Sequence, residues 1–158
     1  MYSGRVAPLA KAFPDARFIV NVRDPNETIP SLLKLVRAGW KQLGWDPERQ
    51  TRCLQILAGQ SWHTYKHPIE FLDANPRVKG AIVDYRDLTA DPAAAIEKLY
   101  QDLDLPMTAE YRAQLAGEAR REREHKTRHT YSLEEFGLEP EAIRKNLAPL
   151  FERFGWDA

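Results

Sequence analysis

Two short apolar runs along the chain predict buried β-strands. They lie at residues 18–22 (FIVNV) and 81–85 (AIVDY), and each is rich in β-branched residues and bounded by charged or turn-forming ones. Continuous apolar strands that are each followed by a helix are typical of a parallel sheet covered on both faces. The pattern therefore predicts an α/β fold, rich in helix, with a short parallel sheet.

Helical periodicity fills most of the remaining chain. An Asp-Pro pair follows each strand, Asp24-Pro25 and Asp91-Pro92, and indicates a capped helix start with proline at the first helical position. Further helices are predicted from about residue 47 towards 68 and from 108 to about 124. A last helix begins near Pro140 and should dock on the domain. Its apolar face consists of Ile143, Leu147, Leu150, Phe151 and Phe154.

The small number of strands predicts that part of the sheet lies elsewhere. Two strands alone make a marginal sheet, and a short helix around Val6 and Leu9 precedes the first of them. We therefore expect residues 1–158 to form a single domain that is the C-terminal part of a larger one, with the missing portion upstream. A sheet edge left bare would be prone to pair with another chain, which predicts self-association.

Composition limits the possible partners. The 23 basic and 23 acidic side chains cancel, so no global field attracts nucleic acid or anionic lipid, and any anion site must be local. No run approaches the roughly 18–20 apolar residues that span a bilayer, and the first residues lack the apolar core of a signal peptide. The single cysteine, Cys53, fits a reducing cytoplasm and excludes a cysteine-rich zinc site.

Three residues near the predicted strand ends are candidates for a binding site. In open α/β sheets, ligands bind beyond the carboxyl ends of the strands. Arg23 follows the first strand and precedes a capped helix, so a phosphate there would meet a guanidinium and a positive helix end. Ser31 lies eight residues later, nearly opposite the apolar stripe of that helix, with its hydroxyl free to donate. Tyr85 ends the second strand at the same edge, where its ring could cover a flat base.

Spacing alone also fits plainer roles for these three residues. Arg23 could form a surface ion pair with Asp24 or Asp87. Ser31 could simply face solvent, and Tyr85 could be a half-buried strand aromatic.

Three segments of the chain, taken in order, resemble sulfotransferases that use 3′-phosphoadenosine-5′-phosphosulfate (PAPS). Residues 13–25 (FPDARFIVNVRDP), with the Arg-to-Ser spacing of eight, resemble the family's strand and helix at the 3′-phosphate. Residues 83–88 (VDYRDL) are similar to its Tyr-Glu-Asp-Leu segment, and residues 129–138 (HTYSLEEFGL) resemble the closing segment of the bacterial branch. The resemblance implies a partial P-loop-like three-layer sandwich.

The resemblance also implies a function and a set of site residues. The function is transfer of a sulfuryl group from PAPS to a hydroxyl or amine acceptor. Arg23 and Ser31 would hold the 3′-phosphate, and Tyr85 would lie near the adenine. Basic residues near the end of such enzymes fold over a phosphate, which makes Arg128 a fourth candidate, with Lys126 and His129 beside it. Interleaved charges over residues 120–129 also fit a solvated helix with i,i+4 pairs.

One departure from the family pattern concerns the other end of the nucleotide. The family starts with a strand and a Lys/Arg-Ser-Gly-Thr loop that cradles the 5′-phosphosulfate. Residues 3–5 (SGR) imitate this loop poorly, and GxxxxGK[ST] is absent from the chain. We therefore expect the isolated chain to bind nucleotide weakly and to turn over little, and no catalytic base is assigned. Two alternatives are a non-catalytic nucleotide- or partner-binding remnant of this fold and a helical interaction domain in which the Arg-to-Ser spacing is accidental.

The sequence assigns no specific function to two further groups, a histidine pair and three tryptophans. His63 and His67 are four apart on a helix, but no recognisable motif supplies further ligands, so no metal is predicted. Trp40, Trp45 and Trp62 fit either a core or the wall of an acceptor site, and the acceptor itself is not specified by these patterns.

Overall fold

The two apolar runs form a parallel sheet, as predicted. The structure, a computed structural model, describes residues 3–122 and 132–157. Short 3₁₀ turns lie at Ser3–Arg5 and Glu134–Phe136. In chain order the strands and helices are α1 (Val6–Ala12), β1 (Phe18–Val22), α2 (Pro25–Gln42), α3 (Pro47–Ala74), β2 (Gly80–Asp84), α4 (Tyr85–Ala90), α5 (Pro92–Asp102), α6 (Ala109–Glu122) and α7 (Pro140–Phe154).

The register of the sheet brings the carboxyl ends of both strands together. β1 and β2 pair in parallel, with Val22 opposite Asp84 at their last position. The predicted range of the second strand is one residue too late, because Tyr85 begins α4 instead of ending β2. The Asp84 carboxylate accepts a hydrogen bond of 2.8 Å from the backbone N–H of Arg86 and so starts a helix at this point. In the described ranges the sheet has two strands, and pairing of its edges with another chain stays a prediction.

Both Asp-Pro pairs begin helices as the sequence predicts. The carboxylate of Asp24 accepts from the backbone N–H of Asn26 at 2.8 Å and caps α2. The carboxylate of Asp91 accepts from the backbone N–H of Ala94 at 3.2 Å and caps α5. The proline that follows each cap occupies a position where the missing N–H breaks no helical hydrogen bond.

α3 continues past the proline at which the sequence pattern predicts its end. The helix reaches Ala74, and Pro68 lies inside it. An internal proline costs on the order of 3 kcal/mol because it removes a hydrogen bond and crowds the preceding turn. Pro68 and Ile69 are both buried here, and the burial of these two side chains offsets that cost. The predicted end of α3 near Pro68 was wrong because the residues that pack against this turn of the helix are remote in sequence.

One hydrophobic core connects α7 to the elements that surround the strand ends. The apolar face predicted for α7 packs against β1, α2 and α3, and Ile143 and Leu147 are fully buried. α7 departs from helical geometry at Leu147, two residues before Pro149. In the described ranges, no helix combines the length and the apolar character needed to cross a membrane. The buried members of the core are Val22, Ile29, Leu33, Leu54, Ala58, Ile69, Ile143, Leu147, Leu150, Phe151 and Trp156.

Candidate functional site

A cavity of about 540 Å³ lies beside the carboxyl end of β1, between that strand, α2 and α3. Its size is within the range of small-molecule sites. Arg23, Ser31 and Tyr85 all line it, although they come from the β1–α2 connection, the second turn of α2 and the start of α4. The fold therefore brings together three of the four predicted site residues. The fourth, Arg128, lies outside the described residues, as do Lys126 and His129.

The Arg23 side chain contacts both a carboxylate and an aromatic ring. Its guanidinium donates to Glu27 Oε2 at 2.7 Å and lies 4.6 Å from the centre of the Tyr85 ring. The ion pair is therefore with Glu27, one turn along α2, and not with the Asp24 or Asp87 that spacing suggested. Such exposed i,i+4 pairs contribute only about 0.3–0.5 kcal/mol. An incoming phosphate, whose charge-assisted hydrogen bonds contribute about 1.5–3 kcal/mol each, can displace Glu27.

The N-terminus of α2 offers less positive potential than the sequence suggested. The Asp24 carboxylate already accepts the N–H of Asn26, and Glu27 adds a second acidic group in the first turn. Burial raises the pKa of the Asp24 carboxyl, the hydrogen bond from Asn26 opposes that rise, and the charge of Glu27 adds to it. Because the helix end is occupied by its own carboxylates, the guanidinium of Arg23 has to supply most of the attraction for an anion.

Tyr65 is a site residue that sequence reasoning missed. Its hydroxyl donates to the backbone carbonyl of Arg23 at 2.9 Å, and its ring lines the same cavity. Burial raises the pKa of the Tyr65 phenol to about 12, although a hydrogen bond with Thr28 acts in the opposite direction. In the sequence, Tyr65 lies at helical spacing from Leu57, Ser61 and Trp62, which favours a packing role. The periodicity contains no signal for a partner 42 positions away.

The raised pKa of Tyr65 predicts a stability change at alkaline pH. Between pH 10 and about 12, the phenol ionises in the unfolded chain while it stays neutral in the folded one. Stability should therefore fall by about 1 kcal/mol per pH unit over this window through Tyr65 alone. Urea denaturation at pH 9 and pH 11 of the wild type and of Tyr65→Phe isolates this contribution. The variant should lose less stability than the wild type on going to pH 11, and equal losses would contradict the assignment.

The remainder of the cavity wall is largely apolar. Ser31 is half-buried and shares the wall with Leu32 and Val36. Helical spacing in the sequence places these two apolar residues on the apolar stripe of α2. Leu33, on the same helix, is buried in the core. The apolar stripe of α2 is thus divided between the core and the cavity, because the cavity extends around a wide arc of the helix. A largely apolar wall that also carries the Ser31 hydroxyl and the Arg23 guanidinium suits a ligand that has a flat ring and a phosphate.

The wall contains few groups that could exchange protons at neutral pH. The titratable side chains among the described lining residues are Arg23, Tyr65 and Tyr85. No carboxylate, histidine or lysine from the described ranges lines the cavity, and these are the residue types most often used as general bases. The described wall therefore carries one cationic side chain, that of Arg23, and no ordinary base.

The described tryptophans and histidines singled out in the sequence are not among the residues that line the cavity. Trp40 and Trp45 stack with ring centres 4.8 Å apart, while Trp62 packs against the core. The rings of His63 and His67 stack at 4.7 Å. In residues 3–122 and 132–157, no three His, Cys, Asp or Glu residues form a group that could hold a metal ion.

The geometry defines an α/β protein with a ligand-sized cavity at the carboxyl end of its parallel strands. Residues 1–109 match the family model described as the sulfotransferase family. Because the match covers more than half of the chain, the chain belongs to this family, and the family predicted from the three sequence segments is confirmed.

A solved structure agrees with this family and with the predicted fold class. The chain is similar to the crystal structure of sulfotransferase STF9 from Mycobacterium avium, with a TM-score of 0.75 and 27% sequence identity. The match covers 97% of this chain and 40% of that one, so the chain spans less than half the length of that sulfotransferase. A search of curated proteins finds no match.

Proposed function

We propose that this chain binds the adenosine and 3′-phosphate portion of PAPS, in a sulfotransferase that moves a sulfuryl group to a hydroxyl or amine acceptor. The observation that carries the proposal is the placement of Arg23, Ser31 and Tyr85 on one cavity wall at the strand ends. Membership of the sulfotransferase family supports a nucleotide sulfate donor as the ligand.

Each of the three residues has a distinct role in the proposal. The guanidinium of Arg23 leaves Glu27 and donates to oxygens of the 3′-phosphate, and the hydroxyl of Ser31 donates to the same group. The ring of Tyr85, which is 37% exposed, covers the adenine. The 3′-phosphate distinguishes PAPS from ordinary adenylates, so the pair of Arg23 and Ser31 would provide the selectivity of the site.

The proposal assigns binding to this chain and leaves proton transfer to groups outside the described wall. In sulfuryl transfer, the acceptor oxygen or nitrogen forms a bond to sulfur and loses its proton to a base. The bond from sulfur to the phosphate oxygen breaks, and its electron pair leaves with adenosine 3′,5′-bisphosphate. The described lining residues include no carboxylate, histidine or lysine to accept that proton. We therefore propose that the isolated chain binds nucleotide and transfers little or no sulfuryl group.

The same composition of the wall favours a second candidate function, a non-catalytic nucleotide-binding remnant of the sulfotransferase fold. The two functions differ in turnover rather than in nucleotide binding. The distinguishing experiment compares the 158-residue chain with the same chain extended at its N-terminus by the strand and Lys/Arg-Ser-Gly-Thr loop of a family member. Each is incubated with PAPS and a panel of phenol, sugar and amine acceptors. Acceptor-dependent release of adenosine 3′,5′-bisphosphate by the extended chain would support the enzyme, whereas nucleotide binding without release by either chain would support the remnant.

Removal of the Arg23 guanidinium tests the binding proposal. By calorimetry, the wild type should bind adenosine 3′,5′-bisphosphate more tightly than adenosine 5′-monophosphate. Arg23→Ala should weaken binding of the bisphosphate about 10- to 100-fold, because charge-assisted hydrogen bonds of about 1.5–3 kcal/mol are lost. Binding of the monophosphate, which has no 3′-phosphate, should change little.

Arg37, which lies on α2, provides a matched control for Arg23. It also pairs with a glutamate, Glu135, and also lies over an aromatic ring, that of Phe136 at 4.9 Å, but it is absent from the cavity wall. Arg37→Ala should leave both nucleotide affinities unchanged. Equal wild-type affinity for the two nucleotides, or equal effects of the two arginine substitutions, would refute the proposed role of Arg23.

A further inference from the structure

The end of β2 is connected to the end of α7 through a buried carboxylate. Asp84 is 7% exposed, and its Oδ2 accepts hydrogen bonds from the Arg86 guanidinium at 2.8 Å and from the Trp156 indole N–H at 3.0 Å. The Arg86 guanidinium also donates to the backbone carbonyls of Phe154 and Gly155, where α7 ends. These bonds fix the position of the residue that directly precedes Tyr85.

The ring of Trp156 makes a second contact towards the site. It meets the ring of Tyr65 edge to face, with ring centres 6.4 Å apart and planes at 87°. The hydroxyl at the other end of Tyr65 donates to the backbone carbonyl of Arg23. Trp156 therefore contacts Asp84, which precedes Tyr85 in the chain, and Tyr65, which is hydrogen-bonded to Arg23.

The packing around Trp156 limits its own movement. Its indole stacks on Phe154 with ring centres 4.8 Å apart and meets Phe151 edge to face at 5.6 Å, and the residue is 7% exposed. The helix before it is held in the core by Ile143 and Leu147, both fully buried. A rigid side chain that contacts both Asp84 and Tyr65 can hold these two residues at a fixed separation.

From this geometry, we propose that Trp156 is a positioning residue. It holds the backbone of Arg23 and of Tyr85 at the relative position that binding of the 3′-phosphate requires. The inference rests on the proposed function, because it concerns the same site. Trp156 itself is absent from the cavity wall, so it acts through Asp84 and Tyr65 and not by contact with the nucleotide.

Trp156→Phe is the direct test, because it removes the indole N–H and keeps an aromatic ring for the packing. The measured quantity is the ratio of the affinity for adenosine 3′,5′-bisphosphate to that for adenosine 5′-monophosphate, determined by calorimetry on the full chain. The ratio should fall about 5- to 10-fold, which corresponds to about 1–1.4 kcal/mol. A merely structural role would reduce the folded fraction and lower both affinities equally, leaving the ratio unchanged.

Two further variants make the outcome decisive. Trp45→Phe removes an indole that stacks on Trp40 away from the cavity, and it should leave the ratio unchanged. Arg86→Ala removes a half-exposed side chain and, with it, the hydrogen bonds from Arg86 to Asp84 and to the end of α7. This variant should lower the ratio even if Trp156→Phe folds poorly. A wild type that prefers the bisphosphate, with the same preference in both Trp156→Phe and Arg86→Ala, would overturn the positioning role alone. A wild type with no preference would overturn the proposed function itself.

Discussion

Replacing Phe151 with alanine is expected to lower the free energy of unfolding by about 3–5 kcal/mol. Phe151 is 2% exposed and belongs to the core that α7 shares with β1, α2 and α3. Truncation of such a side chain removes buried apolar surface and leaves a cavity that the neighbours fill only in part. The melting temperature should fall by on the order of 10 °C, since about 1 kcal/mol corresponds to 2–4 °C in a chain of this size. Urea denaturation followed by circular dichroism measures the change.

Phe13 is the matched control for this substitution. Its side chain is 58% exposed, so Phe13→Ala should change stability by about 0.5 kcal/mol or less. A loss in Phe151→Ala no larger than that of Phe13→Ala would mean that α7 is not packed into the common core. Phe151→Leu, which retains most of the buried volume, should lie between the two.

Replacing Asp84 with alanine should cost about 2–4 kcal/mol. The substitution removes the cap of α4, worth about 1 kcal/mol, and leaves the buried N–H of Trp156 without its acceptor, which costs about 1–3 kcal/mol. Asp91 is the matched control, because it caps α5 in the same way but is exposed. Asp91→Ala should cost only about 1 kcal/mol in the same urea denaturation.

The Asp84 carboxylate also predicts an acid dependence. Burial by itself would raise the pKa of this carboxyl, but the hydrogen bonds from the Arg86 side chain and backbone and from the Trp156 indole outweigh burial and lower the pKa below 3.8. A lowered pKa means that the stabilisation is present above about pH 4 and is lost as the pH falls through the folded-state value. The stability difference between wild type and Asp84→Ala should therefore shrink between pH 6 and pH 3. A difference that stays constant over this range would show that the charge of Asp84 contributes nothing.

Local signals predicted the helix starts and the outline of the site. Asp24 and Asp91 were recognisable as caps because the cap, its proline and the first turn are adjacent in the chain. Arg23 and Tyr85 were placed at one sheet edge because Arg23 follows the first predicted strand and Tyr85 ends the second. The one-residue error at Tyr85 arose because the aspartate that precedes it is not followed by proline, so its capping role was overlooked.

The contacts between distant elements could not be predicted in this way. Glu27, the ion-pair partner of Arg23, is close to it in sequence, but Asp24 and Asp87 were equally plausible partners from the sequence. Tyr65 lies 42 positions from the carbonyl it binds, and Trp156 lies 72 positions from Asp84. Periodicity reports which face of a helix is apolar, and it does not report which remote group that face will meet.

The sequence by itself therefore determined both strands, the described α-helices other than α4, and their order, since these depend on the nearest few neighbours and on the alternation of apolar side chains. Only the tertiary structure decided that Pro68 lies inside a helix, that α2 divides its apolar stripe between core and cavity, and that Trp156 contacts both Asp84 and Tyr65. The physical reason is that burial and hydrogen bonding between remote segments carry free energies as large as the local preferences, and their partners exist only once the chain has folded.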